Sequence, residues 1–353
     1  MATRSLAIKY RPTVFDAMVE QESIKKILLF QLTNNDTKNA YLFCGSAGTG
    51  KTTCARIFAN EINKHMGNPI EIDAASNSSV EDVKVLIQQA KTKSLDSEYK
   101  VFIIDECHSL SNTAWQALLK LLEEPPLKSV FIFCTTDPQK IPKTILSRVQ
   151  RYDFQRISTR GIYNRIMYVL SEEGIDSMQT DVKAFRNAID YIAKIADGGM
   201  RDALTMLDKC LAYSTELTLE NVLKALGRSN YDTMFNLLES ILGSEYSNML
   251  GIIDEQYRLG IELKQFIKSF TEFVLDICKI AITNSFDITK LPNTDDNTTI
   301  INDILNKYGK QSVAQLVNTL VSLNSQIKWE TNPKPVIESV LLLSMGVNND
   351  RTI

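Results

Sequence analysis

The sequence predicts an α/β domain with a parallel sheet, followed by two all-α regions. Over roughly the first 155 residues, short apolar runs alternate with amphipathic helical patterns, as expected for a parallel sheet. A glycine-rich segment at residues 45–52 lies between one such run and one such helix. Beyond about residue 157 the strand patterns disappear, and helical periodicity continues almost to the end of the chain.

Five apolar runs in the first region are predicted strands, each followed by polar or turn-forming residues. They are Tyr41–Cys44, Ile70–Ile72, Val101–Ile104, Val130–Cys134 and Val149–Phe154. The segment Thr113–Glu124 is a predicted helix that ends at Pro125. Its apolar residues share one face: Trp115, Leu118, Leu119 and Leu122.

The remainder of the chain is predicted to be helical. Residues 158–227 are expected to form short helices with a break at Gly198-Gly199, and later residues to form longer ones. One wide apolar stripe suits either the core of a helix bundle or an oligomerisation surface. It comprises Leu263, Phe266, Ile267, Phe270, Phe273, Val274 and Ile277. Residues 285–298 are a predicted loop, and the whole pattern gives three domains, 1–157, 158–228 and 229–353.

The composition is that of a globular protein without a membrane-spanning segment. Of the 353 residues, 44% are hydrophobic and 23% charged, and no apolar run reaches the length of a membrane span. The N-terminus lacks the apolar segment of a secretory signal, and the six cysteines form no CxxC pair. A net charge of −3 argues against a protein that coats DNA, so any nucleic-acid contact should be a localised surface.

The glycine-rich segment carries the most specific chemical signal in the chain. It matches the GxxxxGK[ST] pattern and lies between a strand and a helix, the context of a phosphate-binding loop. Backbone N–H groups and the helix N-terminus would hold the phosphates, Lys51 would reach the terminal ones, and Thr52 would ligate Mg²⁺. The predicted nucleotide-binding residues here are Gly45, Ser46, Ala47, Gly48, Thr49, Gly50, Lys51, Thr52 and Thr53.

Two carboxylates follow the strand candidate Val101–Ile104. We expect Asp105 to help hold Mg²⁺ and Glu106 to polarise the water that attacks the γ-phosphate. A polar side chain at the end of the next strand could orient that water. Thr136 is the predicted residue, and Thr135 remains an alternative.

Two arginines are candidates for stabilising the charge of the transition state. Arg148 precedes the last strand candidate, and Arg201 follows the Gly198-Gly199 break. From spacing alone, each is as consistent with a solvated arginine as with a catalytic one. The two histidines, His65 and His108, have no second histidine or cysteine at ligand spacing, so neither is a predicted metal ligand.

Several motifs together resemble the clamp-loader ATPases, and most closely the gamma/tau subunit of bacterial DNA polymerase III. The segments that carry the resemblance span nearly the whole chain. They are Tyr10-Arg11-Pro12 with Val19-Glu20-Gln21, Ile72–Asn77, Ile104–Ser111, Ala117–Pro126, Thr135–Pro142, Ile145–Arg148, Asp197–Leu204, and Lys328-Trp329 with Asn332-Pro333.

The resemblance implies an AAA+ core, a helical lid and a helical collar. It also implies an ATP hydrolase that forms a ring with other clamp-loader subunits, homo- or hetero-oligomeric and expected to be a pentamer. Such a ring loads a sliding clamp at primer–template DNA, independently of sequence, in the cytoplasm of a bacterial or phage-infected cell.

The resemblance also assigns roles to individual residues. Arg148 would act in trans on the ATP of the adjacent subunit, and Arg201 would act in cis from the lid. Thr136 would be the first sensor residue. The adenine would lie against Tyr10, Arg11, Pro12 and Val19.

Three departures from the family pattern matter. Bacterial gamma/tau subunits carry a four-cysteine zinc module before the Ile72–Asn77 segment, but residues 64–69 contain no cysteine, so we predict no zinc. In this the chain is similar to the shorter clamp-loader subunits of phages and archaea. Val149 replaces the cysteine of the Ser-Arg-Cys motif, although the arginine is retained. The tau-type extension is expected to be missing.

Two helix starts are candidate contacts for DNA phosphates. Residues 78–82 contain Ser-x-x-Glu and Ser-x-x-Asp capping patterns, and Ser111-Asn112 precedes a second helix. Free N–H groups at such starts suit phosphates, although plain capping explains the same residues. The alternative functions are a non-hydrolysing structural subunit of a clamp loader and another AAA+ motor, such as a helicase loader or a branch-migration motor.

Overall fold

The computed structural model describes residues 5–77, 79–94, 96–176, 181–226, 231–286, 288–292 and 294–349. The chain divides into two compact units. The first comprises residues 1–180 and 195–215, and the second comprises residues 181–194 and 216–353. The three-domain division expected from the sequence remains a prediction.

The first unit is built on a five-stranded parallel sheet, in the order β2-β3-β4-β1-β5. Its strands are β1 Ala40–Cys44, β2 Ile70–Asp73, β3 Lys100–Asp105, β4 Ser129–Thr135 and β5 Gln150–Asp153. Every strand predicted from the sequence is present, within one residue or so at each end. Because all strands run parallel, their carboxyl ends lie at one edge, where ligands bind in such sheets.

Helices cover both faces of this sheet. One face packs against α2 and α3, and the other against α4 and α5, so β1 and β4 are buried along their whole length. Burial on both faces explains why these strands are continuous apolar runs. The helices of the first unit are α1 Leu6–Lys9, α2 Glu22–Thr33, α3 Lys51–Ile62, α4 Val80–Ala90, α5 Asn112–Glu123, α6 Lys143–Leu146, α7 Thr159–Glu172 and α9 Met200–Tyr213.

Serine side chains cap the N-termini of three of these helices. Ser79 accepts a hydrogen bond from the Asp82 N–H, and the Asp82 carboxylate accepts from the Ser79 N–H, which confirms the capping box predicted there. Ser111 and Ser158 cap α5 and α7 in the simpler way, each accepting from an N–H one turn later. The other predicted capping pattern begins at Ser78, which lies outside the described residues.

The described residues of the second unit form helices joined by turns and loops. The apolar stripe predicted on α13 is buried in a core shared with α11, α12, α14, α15 and α16. The predicted loop at 285–298 is wrong at its end, because α14 begins at Asp295, where Thr294 caps it. The helices are α8 Val182–Ile195, α10 Leu219–Ala225, α11 Tyr231–Leu242, α12 Tyr246–Arg258, α13 Leu263–Thr283, α14 Asp295–Tyr308, α15 Lys310–Ile327 and α16 Pro333–Asn349.

Candidate nucleotide-binding site

The glycine-rich segment forms a tight loop between β1 and α3. Gly48 and Gly50 have φ angles of 73° and 100°, a region that favours glycine. Lys51, the first residue of α3, is only 5% exposed. Its Nζ donates hydrogen bonds of 2.8 Å to the carbonyl oxygens of both Gly45 and Ser46. Burial lowers the pKa of Lys51, and the nearby Glu106 carboxylate opposes that shift.

A cavity of about 300 Å³ opens over this loop. Most of the predicted nucleotide-binding residues line it, and they come from the N-terminal segment, the loop, the end of β3 and the start of α9. The lining residues that were predicted are Tyr10, Arg11, Pro12, Val19, Ala47, Gly48, Thr49, Gly50, Lys51, Thr52, Thr53, Asp105, Glu106 and Arg201.

The loop also contacts the turn that precedes α9. Gly48 O accepts a 3.0 Å hydrogen bond from Met200 N. A Cβ on Gly48 would lie 2.9 Å from the Cα of Gly199, closer than side chains tolerate. Glycine at position 48 therefore has a packing reason, since it lets the turn at Gly198-Gly199 and the start of α9 lie against the phosphate-binding loop. This contact brings Arg201 to the cavity.

Thr52 and Asp105 form the part of the site that suits a magnesium ion. Thr52 Oγ1 donates a 2.8 Å hydrogen bond to Asp105 Oδ2 across the ends of α3 and β3. A hydroxyl and a carboxylate are the oxygen donors that Mg²⁺ uses together with substrate phosphates. The donor set therefore fits the ion expected from the sequence.

Glu106 occupies a sharp turn directly after β3. Its φ of 46° and ψ of 41° are left-handed, and this turn directs the chain into the short 3₁₀ helix Cys107–Ser109. Thr136 Oγ1 donates a 3.0 Å hydrogen bond to Glu106 Oε2. His108 Nδ1 lies 3.3 Å from the same oxygen. The Glu106 carboxylate is thus held by Thr136, which the sequence singled out, and by His108, which it did not.

Thr135 and Thr136, the alternatives left open by the sequence, have different partners. Thr135 is fully buried, and its Oγ1 lies 3.1 Å from His108 Nδ1 and accepts a 3.0 Å hydrogen bond from Asp137 N. Only Thr136 has a hydrogen bond to Glu106 among the contacts of these two threonines in the described part of the chain. This difference favours Thr136 as the residue that orients the attacking water.

Arg148 does not line the cavity of its own chain. Its Nη2 lies 2.6 Å from Glu123 Oε1 at the end of α5, and its Nη1 donates a 2.7 Å hydrogen bond to Thr144 O. The side chain is 34% exposed. Arg201 therefore lines the cavity of its own chain and Arg148 does not, and the role of Arg148 in a neighbouring subunit stays a prediction.

The N-terminal segment, with Tyr10, Arg11 and Pro12, and α7, with Arg165, also line the cavity. Tyr10 OH donates a 2.6 Å hydrogen bond to Glu173, and Lys9 forms an ion pair with the same carboxylate. Arg165 of α7 donates a 2.8 Å hydrogen bond to Tyr10 O. Sequence reasoning missed Arg165, whose only signal is a basic residue on an otherwise amphipathic helix. The other lining residues it missed are Ala7, Met18, Ile157, Met200, Asp202 and Leu204.

Within the described residues, no group of three or more His, Cys, Asp or Glu side chains is placed to hold a metal ion by itself. All six cysteines are buried and free. Among the same described residues, no helix combines the length and the apolar character that crossing a membrane requires.

The parallel sheet, the loop after β1, and the acidic pair after β3 define a nucleotide-binding protein of the AAA+ class. Three family models match successive parts of the chain. They are the DNA polymerase III delta subunit over residues 68–158, the ATPase lid domain of the DNA polymerase III clamp loader subunit over 161–216, and domain III of DNA polymerase III subunits gamma and tau over 217–348.

Full-length comparisons agree with these matches. The chain is 30% identical to DNA polymerase III subunit gamma of Buchnera aphidicola, and the match covers 96% of each protein. It is 32% identical to DNA polymerase III subunit tau of Bacillus subtilis over 96% of this chain, but it spans only 62% of that relative's length. The chain belongs to the gamma/tau family of DNA polymerase III clamp-loader subunits.

Solved structures support the fold alone. The Holliday junction branch migration motor RuvB of Thermotoga maritima is 19% identical, with a TM-score of 0.52 over 72% of this chain and 86% of that chain. A likeness at this level of identity says nothing about which DNA or partner this chain uses. It does agree with the AAA+ core and helical lid expected from the sequence.

Proposed function

We propose that this protein is the ATP-hydrolysing subunit of a sliding-clamp loader. The observation that carries the proposal is the convergence of Lys51, Glu106 and Arg201 on one cavity, in a chain whose family is the gamma/tau subunits. Each of the three has a distinct task in phosphoryl transfer: to hold phosphates, to polarise water, and to stabilise developing charge. A structural subunit without turnover would have no use for the Glu106–Thr136 pair.

The chemistry follows from what each side chain can do at its position. The loop N–H groups and Lys51 hold the β- and γ-phosphates, in place of the carbonyl contacts that Lys51 now makes. Glu106 accepts a hydrogen bond from the attacking water, and Thr136 fixes the orientation of that carboxylate. Thr52 and Asp105 would hold Mg²⁺, which would supply positive charge to the phosphates. Arg148 from the adjacent subunit completes the site.

The proposed partners are other clamp-loader subunits, a sliding clamp and primer–template DNA. Of the two helix starts suggested for DNA, α5 is the better supported. The first turn of α4 carries Glu81 and Asp82, which repel phosphates, whereas the first turn of α5 carries no acidic residue. We propose that N–H groups at the start of α5 contact the DNA backbone, in the cytoplasm, and that no zinc is required.

The test is ATP hydrolysis with the complete assembly. The chain is mixed with its partner subunits, its clamp and a primed template, and phosphate release is followed in time. The proposal expects turnover that rises when clamp and DNA are added, and clamp retained on circular primed DNA. Absence of turnover, with ATP bound and the assembly formed, would favour the non-hydrolysing alternative.

A further inference from the structure

The N-terminal segment, residues 5–21, contacts α7 at three points, near the start, the middle and the end of that helix. At the start of α7, Glu20 accepts hydrogen bonds from the N–H and hydroxyl groups of Ser158. At its end, Glu173 binds Lys9 and Tyr10. In the middle, Arg165 holds the carbonyl of Tyr10 at 2.8 Å. These three contacts join two stretches of chain about 150 residues apart in sequence.

Arg165 differs from the other two contacts because it lines the cavity itself. Its guanidinium is half-buried and lies 4.9 Å from the centre of the Tyr168 ring. Desolvation lowers the pKa of Arg165, although an arginine stays charged at any physiological pH. A charged group is costly to bury unless it has a task, and the carbonyl of Tyr10 accounts for one of its five N–H donors.

We propose that Arg165 is a positioning residue for the base end of the bound nucleotide. By holding the Tyr10 carbonyl, it fixes the wall of the cavity that Tyr10, Arg11 and Pro12 form. The wall is thereby formed before the nucleotide arrives, which lowers the entropic cost of binding. This inference rests on the proposed nucleotide-binding function and assigns to it a residue of α7.

If Arg165 positions the base end of the nucleotide, a substitution there should weaken the binding of ligands that carry a base and leave the binding of the phosphates unchanged. Two ligands separate the two sides: ATP, and inorganic tripolyphosphate, which has no base. Dissociation constants for both are measured by displacement of a fluorescent ATP analogue. The change is Arg165→Gln, which removes the charge and the fork of donors but keeps an amide of similar reach.

We expect Arg165→Gln to weaken ATP binding about tenfold, as the loss of a hydrogen bond from a charged donor would, and to leave tripolyphosphate binding within about twofold. In steady state the same variant should raise KM with kcat nearly unchanged. Arg160→Gln is the matched control, since Arg160 is an exposed arginine on the same helix that does not line the nucleotide cavity. Lys51→Ala is the control for the phosphate side and should weaken the binding of both ATP and tripolyphosphate.

Two results would overturn the inference. One is ATP binding by Arg165→Gln as tight as wild type, and the other is an equal loss of ATP and tripolyphosphate binding. Should the glutamine variant fail to fold, Arg165→Lys provides the test, because it keeps the charge and a single donor nitrogen and should show a smaller loss of affinity, for ATP alone. Failure of the wild-type protein to bind ATP would contradict the proposed function instead, so the two failures are distinguishable.

Discussion

Thr136 and Glu106 lie on neighbouring loops at the carboxyl edge of the sheet, joined by a 3.0 Å hydrogen bond from Oγ1 to Oε2. Adjacent strands β3 and β4 run in register, and this brings their ends together. The hydroxyl fixes one oxygen of the carboxylate and leaves the other for a water molecule. In the proposed function, this pair is the part of the site that hydrolysis requires and simple nucleotide binding does not.

Replacing Glu106 by Gln should abolish turnover while ATP still binds. The amide keeps the size and the hydrogen bond to Thr136 but cannot polarise water, so kcat should fall by about 10²–10⁴. Single-turnover phosphate release and ATP affinity check this together. A variant that hydrolyses ATP at the wild-type rate would remove Glu106 from the catalytic role.

Replacing Thr136 by Ala should lower kcat more than it raises KM. The lost hydroxyl leaves Glu106 free to rotate, and we expect a decrease of about tenfold, the scale of one hydrogen bond. Thr136→Ser keeps the donor and should recover most of the rate. Thr135→Ala, which removes the hydroxyl of the adjacent residue that contacts His108 instead, is the matched control. A larger effect at Thr135 than at Thr136 would reverse the assignment.

Replacing Arg148 by Ala should lower turnover only in the assembled state. Arginines supplied in trans contribute about 10³-fold or more to phosphoryl transfer, so the loss should be of that order. The ATP affinity of the isolated subunit should be unchanged, since Arg148 does not line its own cavity.

Glu123→Gln is the control for the Arg148 variant. It removes the same ion pair at 2.6 Å but keeps the arginine. Exposed pairs contribute about 0–1 kcal/mol to stability, so both variants should fold normally. Turnover in the assembly should stay within a few fold of wild type for Glu123→Gln, and an equal loss in both variants would indicate a structural role for the pair.

Replacing Gly48 by Ala should weaken nucleotide binding and destabilise the first unit. A Cβ at this φ of 73° is strained by about 1–2 kcal/mol, and it would also collide with Gly199. Gly260→Ala provides the comparison, because Gly260 has a φ of 74° but open space around it. ATP affinity and chemical unfolding compare the effects of the two substitutions. Equal effects would contradict a close contact between the phosphate-binding loop and the turn before α9.

The attachment of the N-terminal segment should weaken in acid. Hydrogen bonds from Lys9 and then Tyr10 lower the pKa of Glu173 below its ordinary 4.5. A carboxyl group whose pKa is lower in the folded state stabilises the folded protein at pH values above its unfolded-state pKa. This stabilisation is lost as the pH falls through the folded-state pKa. Wild type should therefore be more stable than Glu173→Gln near neutral pH, and the gap should close below about pH 4.5. A gap that does not narrow as the pH falls below 4.5 would contradict the contact.

The three central strands of the sheet were predictable because each contains a continuous apolar run, Tyr41–Cys44, Val101–Ile104 or Val130–Cys134, followed by glycine or polar residues. The loop, Asp105 and Glu106 were also predictable, since their chemistry depends on local spacing, whereas the role of Arg201 was suggested by the family resemblance. Arg165 and His108 were not, because their partners, Tyr10 and Thr135, lie far away in sequence. The helical start at Asp295 was missed because Asp295, Asp296 and Asn297 are typical of both loops and first turns.

The central claim is that ATP is hydrolysed in a pocket completed by a neighbouring subunit, and one complementation experiment tests it most directly. Subunits with Glu106→Gln and subunits with Arg148→Ala are assembled separately and together, with co-assembly verified by two affinity tags, and phosphate release is measured. Each variant alone should be inactive, whereas the mixture should regain turnover, because an intact Glu106 pocket then faces an intact Arg148. A mixture that co-assembles and binds ATP yet stays as inactive as its components would contradict the account.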